Sequence, residues 1–127
     1  PAGGSRTLHV FNLHLGLGER ERRAQLQQFL QARALLAIHR QTPVLVAGDF
    51  NDVYGTLGRR LLEPALFRGP VRPLRTFPAY APLRALDSLY VRGDLEVRSL
   101  VCWRGKGVRF ASDHLPLFAE LRLRQDS

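Results

Sequence analysis

The sequence predicts an α/β (α+β) fold: a mixed β-sheet with helices on one face. Three observations carry this reading. A strand-like run closes at Gly16-Leu17-Gly18 and opens into a long stretch of helical period; a short apolar run, Val44-Leu45-Val46-Ala47, follows the break Gln41-Thr42-Pro43; and the last third alternates apolar runs with turn residues and holds no further long helix. At 127 residues the chain has the size of one domain, since domains commonly run about 100–150 residues.

The opening Pro1-Ala2-Gly3-Gly4-Ser5 has the composition of a linker, so residues 1–6 are expected to be flexible, 7–124 to form the domain, and 125–127 to trail as a tail. With no Met anywhere, the chain reads as a piece of a longer protein. Thr7–Leu15 is the first strand. From Glu19 to about His39, Leu26, Phe29, Leu30, Ala34, Ala37 and Ile38 recur near the helical period, with Glu19 and Glu21 in the first turn and His39 and Arg40 at the end, matching the helix dipole. The Val44–Ala47 run has no polar alternation, as in strands covered on both faces. A short helix is expected over Leu57 to about Leu66, then a Pro- and Arg-containing loop to Arg84. Three strands close the chain, at about Ala85–Val91, Leu95–Trp103 and Pro116–Leu123, separated by the turns Arg92-Gly93-Asp94 and Arg104-Gly105-Lys106-Gly107.

The formal charge is +8, carried by Arg with Lys106 as the single Lys. Such a balance favours planar, bidentate contact with phosphate, although charge speaks to association and not to fold. Cys102 is the single cysteine, which excludes an internal disulfide, and no Cys/His spacing fits structural zinc. No apolar stretch approaches the roughly 20 residues that span a bilayer, and no signal-peptide pattern is present. A cytoplasmic or membrane-associated location fits the composition, and a targeting segment upstream would lie outside this sequence.

Four strand-like segments each end in compact polar residues. Gly48-Asp49-Phe50-Asn51 sets a charged acceptor beside an amide that both donates and accepts, after a glycine that permits a tight turn. Asp87 lies between Leu86 and Leu89, where a buried carboxylate needs a donor. Ser112-Asp113-His114-Leu115-Pro116 sends a carboxylate and an imidazole from one loop, and His14 closes the first strand before Gly16. Taken singly, these are an Asx-turn, a surface carboxylate, a helix start and a structural histidine. Taken together, carboxylates, an amide and imidazoles at converging strand ends suit metal-assisted phosphoester hydrolysis, with oxygen donors favouring Mg²⁺ or Mn²⁺ over zinc. His9 and His39 belong to no such segment, and Arg22 and Gln25 at the helix start are expected to give packing or polar support.

In order, Asn12-Leu13-His14-Leu15, Gly48-Asp49-Phe50-Asn51, Leu86-Asp87-Ser88-Leu89 and Ser112-Asp113-His114-Leu115-Pro116 resemble the C-terminal half of the endonuclease/exonuclease/phosphatase superfamily. Its members include DNase I-like nucleases, abasic-site endonucleases, inositol-phosphate phosphatases and bacterial sphingomyelinases. The resemblance implies that this chain is half of a four-layered DNase I-like sandwich. It implies that His114 is the general base, oriented by Asp87, that Asp113 contributes to the metal centre directly or through water, and that Asp49 aligns or deprotonates the attacking water and binds metal. It also implies that Asn51 holds phosphate or a second cation, and that His14 stabilises phosphate oxygens or protonates the leaving group. Arg109 is added as a substrate contact from its place near the last motif.

The family's earlier half, with its metal-binding Glu, has no counterpart in this sequence. The isolated chain is therefore expected to bind metal poorly and to turn over slowly or not at all. Its inner sheet face is expected to be covered by the absent half or by a second copy in a homodimer. Two other readings stand beside the hydrolase. One is a non-catalytic basic module using Arg104, Lys106 and Arg109 to hold nucleic acid or acidic lipid, marked by steep salt sensitivity without hydrolysis; the other is an assembly piece. The motifs do not choose among nucleic acid, a phospholipid headgroup and a small phosphate ester as substrate.

Overall fold

The computed structural model describes residues 5–70, 74–105 and 107–124, with the side chains of Val108 and Arg109 outside that description. Residues 1–4 of the expected linker, the expected tail 125–127, and Lys106 also lie outside it. The elements are β1 (His9–His14), α1 (Glu19–Gln31), α2 (Arg33–Leu36), β2 (Val44–Asp49), α3 (Thr56–Leu62), β3 (Asp87–Arg92), β4 (Leu95–Cys102), α4 (Val108–Ala111) and β5 (Leu117–Leu123).

β1 and β2 pair in parallel and β2 and β3 antiparallel, giving a mixed sheet in the order β1-β2-β3. Because successive strand residues point to opposite faces, Phe11, Leu13, Val44, Val46 and Tyr90 meet the helices. There they pack with Leu26, Phe29, Leu35, Leu62 and Phe67 in the main core. Val44, Val46, Leu26 and Leu62 are fully buried, and the Phe11 and Phe29 rings meet edge to face at 5.2 Å. The opposite face carries Leu45, Ala47, Leu89 and Val91, which form a second core with Leu95, Val97, Leu100, Ala119 and Leu121.

The mixed sheet with helices on one face is as expected, and the second core adds a small second sheet to it. β4 and β5 pair only with each other, antiparallel, and lie over the helix-free face as a further layer. β4 does not extend the sheet because the free edge of β3 is taken at Val91 by the Arg68 backbone, which exchanges both hydrogen bonds with it. The Arg68 guanidinium also donates to the Gly93 and Leu95 carbonyls, which holds the turn, and Gly93 takes a φ of 80° open to glycine.

Two helices are shorter than their periodicity suggests. α1 stops at Gln31, Ala32 is extended (φ −64°, ψ 136°), and the chain restarts as α2. The change of direction buries Leu35 against the core, so tertiary packing overrides a sequence with no breaker. α3 ends at Leu62 because Pro64 cannot continue it, and Leu66 follows at φ 72°. The Asp52 carboxylate accepts the Gly58 N–H (2.8 Å) in the first turn of α3. One element was absent from the sequence reading: the single turn α4, within the segment that precedes the last motif.

Leu26→Ala removes a side chain with no solvent exposure and is expected to lower unfolding free energy by about 2–5 kcal/mol in urea titration. Arg23→Ala, on the exposed face of the same helix, is expected to stay within about 0.5 kcal/mol of wild type.

Candidate active site

Strand register builds the site. His14 of β1 is the partner of Asp49 on β2, and Asp49 is the partner of Asp87 on β3. Partners across a sheet share a face, so three polar side chains form one row at its end, on the face away from the helices. Gly48 lets β2 run this close to β1: its φ is 144°, and a Cβ there would collide with the Leu13 carbonyl and the Asn12 side chain.

The loop between α4 and β5 closes the row. His114 Nδ1 lies 2.6 Å from Asp87 Oδ2, and its Nε2 faces Asp49 Oδ2 at 3.8 Å. His14 Nε2 approaches the same Asp49 oxygen at 3.7 Å. The other Asp49 oxygen accepts the Asn51 backbone N–H (3.0 Å), and Asn51 takes φ 49°, a left-handed conformation that Asn tolerates. Asn51 Nδ2 donates to the Leu15 carbonyl (2.6 Å), which ties the end of β1 to the loop after β2. Gln25 Oε1 accepts the Gly16 N–H, and the Arg22 guanidinium donates to the Gly16 and Leu17 carbonyls. Arg22 and Gln25 thus clamp the turn that follows His14.

His114 is held from three sides. Its backbone N–H donates to Ser112 Oγ (3.1 Å), its ring lies 5.0 Å from that of Phe77, and the next residue, Leu115, donates its N–H to the Thr76 carbonyl (2.7 Å). Thr76, fully buried, sends its hydroxyl to Asp87 Oδ2 at 2.6 Å. The Asp87 carboxylate thereby has two donors at one oxygen, the partner that a carboxylate in apolar surroundings requires.

These charges set the state of His114. Burial works to lower its pKa, but the hydrogen bond to Asp87 and the negative charges of Asp87, Asp49 and Asp113 outweigh it, so the imidazole titrates above its ordinary value. The imidazolium is accordingly more stable in the folded chain than in the unfolded one. That contribution is full below the unfolded pKa and is lost as pH rises through the folded pKa.

Of the residues read from the sequence, His14, Asp49, Asn51 and His114 line one cleft of about 450 Å³, with Asp87 bonded beneath His114. Asp113 is exposed, near enough to raise the His114 pKa, with its carboxylate beside its own Ser112 hydroxyl at 3.5 Å. It does not line the cleft. The side chain of Arg109 lies outside the described residues. Sequence reasoning missed Thr76, Phe77 and Arg84. Arg84 and Arg22 add cationic groups to the cleft wall, and Arg84 reaches it because its backbone pairs with Phe77, closing the loop between them. Nothing short-range in the sequence marks Thr76, whose partner lies eleven positions on. Asp49, Asp87 and His114 are also the one group of metal-ligating side chains that converge among the described residues, their ligand atoms within 4.8 Å of one another.

In sequence and in fold the chain is similar to known proteins. The sequence profile of the Endonuclease/Exonuclease/phosphatase family matches residues 3–114, and the chain belongs to that family, whose members are hydrolytic phosphoesterases that usually use a divalent metal. It is 37% identical over 128 aligned residues to YbhP of Escherichia coli K12, an uncharacterized protein, covering 97% of this chain and 49% of YbhP. The chain spans about half the length of the curated relatives it matches. Among solved structures, it is similar to a functionally unknown conserved protein from Enterococcus faecalis (TM-score 0.71, 27% identity, 91% of this chain and 50% of that one). It is similar in fold to a mannosyl-6-phosphatase from Bacteroides thetaiotaomicron (TM-score 0.69, 20% identity, 90% and 51%).

Asp87→Asn leaves a hydrogen-bonding side chain without the charge, so the His114 pKa measured by NMR titration is expected to fall relative to wild type. The stability gap between wild type and this variant should be widest in acid and narrow as pH rises through the wild-type His114 pKa.

Proposed function

We propose that this chain is the catalytic half of a divalent-metal-dependent phosphoester hydrolase. The observation that carries this reading is the row His14–Asp49–Asp87 across three strands, met at its end by an imidazole whose Nδ1 is bonded to Asp87. With Nδ1–H donating to Asp87, the His114 Nε2 lone pair faces the cleft and Asp49. There it can accept a proton from water, and Asp87 stabilises the imidazolium that forms. The Asp49 oxygen turned toward both histidines can accept a second water hydrogen and fix the direction of attack. His14, whose side chain is 81% exposed, stands where a phosphoryl oxygen or a leaving group can be met by a donor. Arg22 and Arg84 supply positive charge at the cleft wall. Asp113 biases His114 through its charge, and were a metal bound, its carboxylate would be a candidate to support it through water.

The donor set fits a hard cation in part. Asp87 Oδ2 is taken up by Thr76 and His114, so Asp49 and the Asn51 side-chain oxygen, with the second Asp87 oxygen beside them, are the donors that would hold Mg²⁺ or Mn²⁺. Mg²⁺ commonly keeps several waters and one or two carboxylates, so ligands from beyond this chain complete the site. When bound, the ion offsets charge on the phosphoryl oxygens and the leaving group.

The absent half is also the occupant that best fits the β1 side of the sheet, which β4 and β5 leave open. Val10 on β1 is 60% exposed and Leu8 just before that strand is 41% exposed, and the relatives are about twice as long. A second copy placed over the same strand is the competing arrangement. The substrate class stays at phosphoesters: nucleic acid, a phospholipid headgroup or a small phosphate ester.

The test is hydrolysis of bis(4-nitrophenyl) phosphate and 4-nitrophenyl phosphate by the chain mixed with the first half of a full-length relative, in Mg²⁺, Mn²⁺ or chelator. Turnover is expected with either ion and not with chelator. His114→Ala and Asp49→Ala should each lower kcat by about 10²–10⁴-fold without lowering the melting temperature to match. Undiminished rates in these variants, or indifference to chelation, contradict the mechanism.

A further inference from the structure

The far end of β3 carries a charged group that the catalytic row does not use. Arg92 lies five residues from Asp87, roughly 16 Å along the strand, and on the helix-facing side of the sheet. It is 9% exposed. Among the described residues, its Nε and Nη2 are buried with no hydrogen-bond partner, and no carboxylate lies within ion-pair distance of it. Its guanidinium stacks over Phe67 at 5.0 Å, which positions the plane and satisfies none of its N–H donors. Burial lowers its pKa, yet an arginine stays protonated. Two buried guanidinium nitrogens without acceptors are costly, and the cost is relieved when an anion reaches that edge.

An anion has a route. Arg92 lines a groove of about 460 Å³ between the helices, walled by Leu30, Leu35, Leu36, Leu61 and Leu66. Leu36 is 63% and Leu66 is 55% exposed, so the groove opens to solvent through apolar residues. Its volume lies within the range of small-molecule sites. It lies on the helical side of the sheet, whereas the uncovered strand face that calls for a partner lies on the other.

We propose that this groove is a binding site for a free single-chain fatty carboxylate, whose head pairs with Arg92 and whose tail lies along the leucines. Nε and Nη2 form one edge of the guanidinium, a fork that matches the two oxygens of a carboxylate. The Gln31 amide at the rim is available to the same head.

Isothermal titration of the intact chain with decanoate below its micelle concentration tests the site. Saturable one-to-one binding is expected with decanoate and not with acetate or decyltrimethylammonium, which lack the tail or reverse the charge. Arg92→Gln should weaken decanoate binding about tenfold or more, the loss expected of a charge-assisted pair. Leu36→Glu, at an exposed position that leaves the core intact, should do the same by placing a carboxylate at the mouth. Absence of saturable decanoate binding, or wild-type affinity in Leu36→Glu, overturns the proposal. Tighter binding of decyl phosphate than of decanoate overturns the assignment of the head as carboxylate.

Discussion

The pairing register of β1, β2 and β3 is the constraint on which the rest depends. A shift of one residue in either pair would send its polar end residue to the helix face, into the packing of Leu26, Phe29 and Tyr90. The apolar alternation therefore fixes the chemistry: Val44 and Val46 must enter the main core, so Leu45, Ala47 and Asp49 must point away from it. The alternation that buries the valines thus sets the face on which His14, Asp49 and Asp87 stand, while His114 is brought to them by its own loop.

On that frame, the two carboxylates differ in their donors. Asp87 is enclosed by Thr76 and His114, whereas Asp49 keeps one oxygen turned toward the cleft and both histidines. The clamp of Arg22, Gln25 and Asn51 on residues 15–17 is the complement of this arrangement. It holds the turn after His14, whose exposed side chain has little other restraint.

Much of this was legible in the sequence because it rests on local signals: strand alternation, glycine before a tight approach, and polar residues at the end of apolar runs. Those signals place residues 14, 49, 87 and 114 at strand or loop ends. What they lack is long-range pairing. The departure of β4 and β5 into a second layer depends on Arg68 occupying the edge of β3, the break at Ala32 on burying Leu35, and the support of Asp87 on Thr76 from a loop that carries no motif. Arg92 reads in the sequence as the first residue of a turn, and only the folded chain shows it buried beneath the helices.

The most direct test of convergence uses the four histidines as reporters. Titration with inorganic phosphate, followed by imidazole NMR shifts, should move His14 and His114 together with one shared dissociation constant and leave His9 and His39 in place. Independent constants for His14 and His114, or equal shifts at all four rings, would contradict a single cleft built by strand register.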